Sequence, residues 1–520
     1  MKRLQSIKKD FLVWTHDHRY EAILLGIIII VASFMRLYRI ADYMTFLGDE
    51  GRDVIIVRRF LTELHPMLIG PGTSIGNMYL GPLYYYLIAP SLLLANFSPV
   101  GPAVFIALMG IATVWLVWAI ARDWFGQAAG LIAAFLYAIA PVTIIYSRSS
   151  WNPNIMPFFA LITIYSMWKV WKSHDYRFIA LSAVSFAACL QSHYLALLLL
   201  PTLGFYWALT LFKLYKTGDK KKKFFIWTLV GGILFLLLMS PLAFFDIRHE
   251  YRNFNAIKLF FTERQSTVSI RPWTALPLVV PQLTKISTRL IGGYDTRVGQ
   301  FVVVATLVAL ASGLMKAAFW KKKIQIEALI LIAVWLGVSL IGFGIYKQEI
   351  YDHYYGFVFP IPFILIGALA GVSWEHSKIR GRWIALTMVV ILAWVNLSVS
   401  PLKYAPNSQL NRSITVTDFI MEDAKTTPFN FAVIAERNYE GAYRYFFNKD
   451  NAPVLDINPQ DTKNTIAPVL YVVCEMEPAK CDPTHNAKAE VANFGWSTIE
   501  TQWTVSGTTV YKLVHSTPSK

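Results

Sequence analysis

The sequence predicts an all-α polytopic membrane domain of about eleven transmembrane helices, followed by a small extracytoplasmic α/β domain. Three observations predict it. Of 520 residues, 55% are hydrophobic and 15% charged, against about 25% charged in soluble domains. The apolar residues fall in runs near the 20 or so needed to cross a bilayer. The net charge of +16 is also unevenly placed. Residues 401–520 hold 11 Lys and Arg against 13 Asp and Glu, whereas residues 1–400 hold 37 against 19. That excess lies between apolar runs, as the positive-inside rule expects, so no soluble basic face for nucleic acid is formed.

The candidate spans are 22–38, 100–121, 128–146, 155–171, 178–190, 195–214, 225–245, 301–314, 324–346, 355–372 and 383–399. The first is too long and too late for a cleaved leader and reads as a retained anchor. A twelfth apolar stretch, 78–97, is ambiguous, and charge parity decides it. The N-terminus carries Lys2, Arg3, Lys8 and Lys9. The strongest basic loop carries Lys213, Lys216, Lys220, Lys221, Lys222 and Lys223. Both belong in the cytoplasm, so an even number of spans separates them. Stretch 78–97 therefore reads as a juxtamembrane or re-entrant outer helix, broken by Gly81, Pro82 and Pro90.

This frame places Lys169, Lys172 and Arg177, then Lys316, Lys321, Lys322 and Lys323, then Lys378, Arg380 and Arg382 inside. Segments 41–77, 147–154, 246–300 and 347–352 fall outside, as does everything after residue 400. The expected location is the plasma membrane, with the N-terminus cytoplasmic and domains at 1–400 and 401–520. In the tail, 417–425 and 439–447 read as helices, and 429–435 and 469–474 as strands. Residues 501–514 read as a hairpin around Ser506 and Gly507. Cys474 and Cys481, with six residues between them, suit a disulfide in an oxidising compartment. Cys189 lies in an apolar run and reads as packing.

The chemistry is expected in the outer segments. The first reads FLGDEGRDVIIVRRF. Its adjacent acids Asp49 and Glu50, with Arg52 and Asp53 behind them, are costly at a membrane face unless solvated or paired. Asp49 reads equally as the N-cap of a helix over 51–61, a role compatible with catalysis. An Asp-Glu pair after the first span, then the Pro- and Tyr-rich segment YLGPLYYYLIAP containing Tyr84, resembles the opening of the GT-C glycosyltransferases. Among these the sequence resembles the protein O-mannosyltransferases and lipid A aminoarabinose transferases (families 39 and 83), over roughly residues 20–400 by span order.

The resemblance implies a polyprenyl-phosphate sugar donor, with Asp49 as catalytic base and Glu50 orienting its partner or the sugar. The third span ends in YSRSSWNPNIMP, where relatives place an acid before proline. Here Asn152 precedes Pro153 and Asn154 follows. The acid is absent, which weakens the case for a second carboxylate or a metal site. Arg148 is a phosphate contact or an interface anchor. Lys347, His353, Tyr354 and Pro360 loosely fit the relatives' donor-phosphate motif, and Lys347 alone would be a snorkelling lysine. Arg52, Tyr84, Asn152, Asn154 and His193 are candidate substrate contacts, although residues 191–193 also read as a tight outer turn.

The outer segment 246–300 carries Arg248, Lys258, Arg252, Arg264, Arg271, Lys285 and Arg289, against the positive-inside trend. A lipid phosphate would compensate that charge, with Arg248 as its candidate clamp. No nucleotide-binding motif is present. No cofactor is demanded, although Asp49 and Glu50 are compatible with a divalent ion. The expected reaction is an inverting transfer to a hydroxyl of a lipid, glycan or protein acceptor, outside the cytoplasm. A transporter or flippase, or a glycan polymerase or ligase with another donor, are the competing readings.

Overall fold

The computed structural model describes residues 13–73, 78–217, 221–262, 268–269, 271–315, 320–376 and 379–516. Of the basic residues that set the parity or the outer charge, Lys2, Arg3, Lys8, Lys9, Lys220, Arg264, Lys316 and Lys378 lie outside them, as does the end of the first outer segment at 74–77.

Every apolar run becomes a helix. The order is α1 (Arg19–Leu37), α2 (Gly48–Glu63), α3 (Leu83–Leu94), α4 (Val100–Phe125), α5 (Gln127–Ile139), α6 (Met156–Ser173), α7 (Arg177–Ser192), α8 (Leu200–Thr217), α9 (Lys221–Arg248), α10 (Arg252–Thr262), α11 (Val279–Leu290), α12 (Thr296–Leu314), α13 (Lys323–Ile345), α14 (Pro360–His376) and α15 (Ile379–Ser398). Six of the described helices are long and apolar enough to cross a membrane, or seven if the bent pair ending in α14 is one span. α9 has a hydropathy of 2.2 yet only 11% of that stretch is buried, and Leu229, Leu236, Leu237 and Phe244 stand exposed along it. Such a surface is stable only against lipid. The chain is a multi-pass membrane protein.

Two departures have local causes. The expected third span is divided: α5 ends at Ile139 and a short helix, Pro141–Tyr146, follows. Pro141 supplies no N–H, so carbonyls of the preceding turn lose partners. Arg36, fully buried on α1, donates from Nη1 to the Ala138 carbonyl at 2.9 Å. Thr143 Oγ1 donates to the Tyr137 carbonyl at 2.7 Å. Stretch 78–97 behaves otherwise: Gly81 and Pro82 precede α3, and Pro90 sits within it without ending it.

Close helix contacts use small residues, as expected where lipid removes the hydrophobic drive between helices. On α14, a Cβ at Gly371 would lie 2.3 Å from the Ala129 nitrogen, and one at Gly367 would lie 2.6 Å from the Ala129 carbonyl oxygen. The basic segments expected inside gather at one end of the bundle. Lys172 pairs with Glu327, Lys213 Nζ meets His174 Nε2 at 3.0 Å, and the Ala128 N–H donates to Glu375 at 3.2 Å. The acidic motif lies at the other end.

The C-terminal region adds α16 (Gln409–Ala424), β1 (Phe429–Ile434), α17 (Gly441–Lys449), β2 (Val469–Cys474), β3 (Ser497–Val505) and β4 (Thr508–His515). The sheet order is β1-β2-β4-β3. β1 and β2 pair in parallel, joined by the α17 crossover, and the other pairs are antiparallel. Ser506 and Gly507 both take positive φ (48° and 79°), the conformation a two-residue hairpin turn requires. α16 starts earlier than the expected 417. Cys474 and Cys481 form a disulfide, and Cys189 is buried and free.

Candidate active site

The segment expected to be the first outside folds as α2, which begins at Gly48, three residues before the expected start. Leu47, not Asp49, is its N-cap. Glu50 turns back on this end, accepting the Leu47 N–H at 3.0 Å. Burial pushes the Glu50 carboxyl up to about 7, against the pull of that N–H. Its neighbour Asp49 is half-exposed (41%) and differently held. Asp49 Oδ1 accepts from Arg52 Nη1 at 2.8 Å and from the Tyr439 hydroxyl at 2.7 Å. Asp49 Oδ2 has no hydrogen-bond partner among the described residues.

Arg52 is fixed from behind. Its Nε and Nη2 donate to Asp53 Oδ1 at 3.0 and 2.7 Å. Tyr85 on α3 donates to the same oxygen at 3.1 Å. Asp53 is 1% exposed, and burial pushes its carboxyl up to about 6 despite the neighbouring guanidinium. Burial disfavours the Arg52 cation, but Asp53, Tyr85 and Asp49 together hold its pKa above the ordinary range. Among the described residues, Arg52 Nη2 makes no hydrogen bond besides the one to Asp53.

Asp49 lines two cavities that share Trp151 as a wall. The first, of about 220 Å³, also takes Arg52, Asn152, His193, His353 and Tyr354. Pro71 to Thr73 close it from a hairpin in which the Gly70 N–H donates to the Leu80 carbonyl at 2.7 Å. The His353 ring packs 4.4 Å from Trp151, and Tyr354 lies 4.7 Å from His193. Burial, with His353 beside it, pushes the His193 imidazole down to about 3, so it is neutral at physiological pH. Asn152 donates its Nδ2 to the Ser192 carbonyl at 2.7 Å. The second cavity, of about 300 Å³, is bounded by Thr45, Tyr146 and Ser149 and by Arg437 and Tyr439 of the C-terminal region.

Six expected site residues thus meet around one space: Asp49, Arg52, Asn152, His193, His353 and Tyr354. The others do not line it. Tyr84 is buried, bonded to Ser150 Oγ at 2.7 Å. Asn154 donates to the Ser149 carbonyl at 2.8 Å. Arg148 reaches the carbonyls of Met35 and Tyr38 at 3.0 and 2.6 Å, capping the end of α1. Arg248 stands exposed at the end of α9, and Lys347 is exposed beyond α13. Glu50 touches only the second cavity. Asp49 and Glu50 both border the second cavity, with one oxygen of each already engaged, that of Asp49 by Arg52 and Tyr439 and that of Glu50 by the Leu47 N–H. Among the described residues no group of three or more His, Cys, Asp or Glu is arranged to hold a metal.

Sequence reasoning missed Asn438 and Tyr439, and gave Asp53 and Tyr85 no role. Asn438 Oδ1 accepts the Gly48 N–H at 2.9 Å, 390 residues away. Nothing near residue 438 in the sequence signals that pairing. The hint was at Gly48 and Gly51, small residues in a helix that pays for them in stability.

The fold is that of the GT-C glycosyltransferases. A family model described as dolichyl-phosphate-mannose-protein mannosyltransferase matches residues 80–245. ArnT from Cupriavidus metallidurans, solved bound to undecaprenyl phosphate, superposes with a TM-score of 0.57 at 13% identity, over 96% of this chain and 98% of that one. The archaeal oligosaccharyltransferase AglB from Archaeoglobus fulgidus, solved with an inhibitory peptide and a dolichol-phosphate, gives 0.54 at 13% identity, over 89% and 70%. Arabinofuranosyltransferase AftD from Mycobacteria gives 0.51 at 12% identity, over 96% and 42%. No curated protein sequence matches the chain.

Proposed function

We propose that the chain is a glycosyltransferase that moves a sugar from a polyprenyl-phosphate donor to an acceptor hydroxyl, with inversion, and that Asp49 is its general base. The observation that carries this reading is the state of Asp49. One carboxylate oxygen is anchored by two donors, the other is unbonded, and the residue borders two cavities at once. A single displacement needs that arrangement, because nucleophile and leaving group approach the anomeric carbon from opposite sides.

The donor's sugar and phosphate occupy the cavity of Arg52, where the spare Nη2 hydrogen and the His353 imidazole meet the leaving phosphate. Asn152 offers its side-chain carbonyl oxygen to sugar hydroxyls. The acceptor hydroxyl comes from the cavity of Tyr146 and Arg437. Its proton passes to Asp49 Oδ2 as the new bond to the anomeric carbon forms and the bond to the phosphate oxygen breaks. Arg148 cannot join the clamp without uncapping α1.

Eleven spans, a cytoplasmic N-terminus and an extracytoplasmic C-terminal domain in the plasma membrane complete the reading. In its support, the described basic segments around Lys172, Lys213 and Lys323 share the end of the bundle remote from Asp49, whereas Arg289 of segment 246–300 pairs with Asp352 near the site, and the disulfide suits an oxidising compartment. The test is Asp49→Asn in proteoliposomes supplied with undecaprenyl-phosphate mannose and other undecaprenyl-phosphate sugars. Transfer is expected to fall by about two to four powers of ten with an unchanged melting midpoint. A variant as fast as the parent would refute the assignment.

A further inference from the structure

The half-exposed carboxylate of Asp49 is steadied from the far end of the chain. The Tyr439 hydroxyl donates to Asp49 Oδ1 at 2.7 Å and accepts weakly from Arg52 Nη1 at 3.4 Å. The Tyr439 ring lies flat against the first turn of α2, where a Cβ at Gly48 would come within 2.3 Å of it. Asn438 pins both partners, since its Oδ1 accepts the N–H groups of Gly48 and Tyr439, each at 2.9 Å. Its Nδ2 is in turn held by Glu475 at 2.8 Å, and Glu475 accepts from Tyr443 at 2.6 Å. The α2 and α17 helices touch backbone to backbone, because a Cβ at Gly51 would lie 2.2 Å from the Gly441 carbonyl carbon. Further contacts hold the two regions together: the Phe46 N–H donates to Gln409 at 3.0 Å, and the Ser408 N–H to the Asp42 carbonyl at 2.9 Å.

We propose that Tyr439 is a positioning residue for Asp49, so that the C-terminal region completes the active site. The inference rests on the transferase reading above. With Arg52 and Tyr439 both on Oδ1, the carboxylate keeps one rotamer and Oδ2 alone is left for the acceptor proton. Without the hydroxyl, Arg52 holds Oδ1 alone and the carboxylate turns about that single bond.

The decisive variant is Tyr439→Phe, which keeps the ring against Gly48 and removes one hydrogen bond. Loss of a hydrogen bond to a charged group is expected to lower kcat by roughly tenfold or more. The KM for undecaprenyl-phosphate mannose stays within about twofold, since the donor cavity is untouched. The melting midpoint in detergent also stays, whereas Tyr439→Ala, which removes the packed ring, lowers it. Amide exchange over residues 46–53, which needs no substrate, is expected to quicken in Tyr439→Phe. The proposal is overturned if Tyr439→Phe matches the parent in kcat, or if exchange is unchanged, or if kcat falls only in step with melting. Full activity in Asp49→Asn, or a parent inactive with every sugar offered, would instead bring down the transferase reading and this proposal with it.

Discussion

Adding one methyl group at Gly51 should disable catalysis without unfolding the protein. The new Cβ would meet three main-chain atoms: the Gly441 carbonyl carbon at 2.2 Å, and the Ala442 nitrogen and Gly441 oxygen at 2.3 Å. Main chain cannot swing aside as a side chain does. Ordinary contacts between such atoms are about 3.5–4.0 Å, so α2 and α17 must part by more than about 1 Å. That stretches the 2.7 Å bond between Tyr439 and Asp49 beyond hydrogen-bonding range. Overpacking costs about 1–3 kcal/mol, and replacing glycine by alanine within a helix returns up to about 1 kcal/mol. The net loss of stability is therefore small. A misplacement of 1 Å at the reacting group is worth about a hundredfold in rate. In Gly51→Ala, kcat with undecaprenyl-phosphate sugars should drop about a hundredfold while the melting midpoint moves only a few degrees. Gly26→Ala on α1, where nothing lies within 4 Å, is the matched control and should leave kcat unchanged. A Gly51→Ala protein with parental kcat would refute the geometric reasoning.

Two further outcomes follow from buried charge. Asp53 and Glu50 have pKa values raised from 3.8 to about 6 and from 4.5 to about 7 by burial. The folded state therefore holds more protons than the unfolded one between about pH 4 and 7. Their contribution to stability is present below that window and is lost as pH rises through it; melting in detergent should show this, and Asp53→Asn together with Glu50→Gln should flatten the slope. Arg36→Met should orphan the Ala138 carbonyl at the Pro141 break, at a cost of about 1–3 kcal/mol, read as a lower melting midpoint. An unchanged midpoint would mean that water satisfies that carbonyl.

The helices were legible because apolar run length is a local property. All eleven expected stretches are helical, and the tail's strands and its turn at Ser506 and Gly507 lie where alternation and turn chemistry put them. Pro141 was visible, yet the break it makes was not drawn, because apolar composition continues through it. The site was half legible. Asp49, Arg52, Asn152, His193, His353 and Tyr354 come together from four separate segments at one end of the bundle. The cations were harder. A basic segment where the charge rule expects none points to an anion, but not to which guanidinium is placed to meet it. Arg148 is spent on the carbonyls of Met35 and Tyr38, which only a three-dimensional view reveals. Tyr439 and Asn438 carried no local signal, since their partners lie at Gly48 and Asp49.

The contact between residues 49 and 439 also sets a timetable for biosynthesis. When the last apolar helix has been translated, Asp49 and the lining of its first cavity have been made, but Arg437 and Tyr439, which bound the second, have not. On the proposed assignment, a chain still being inserted would turn over slowly, and full turnover would wait until the segment around Tyr439 has folded down on α2.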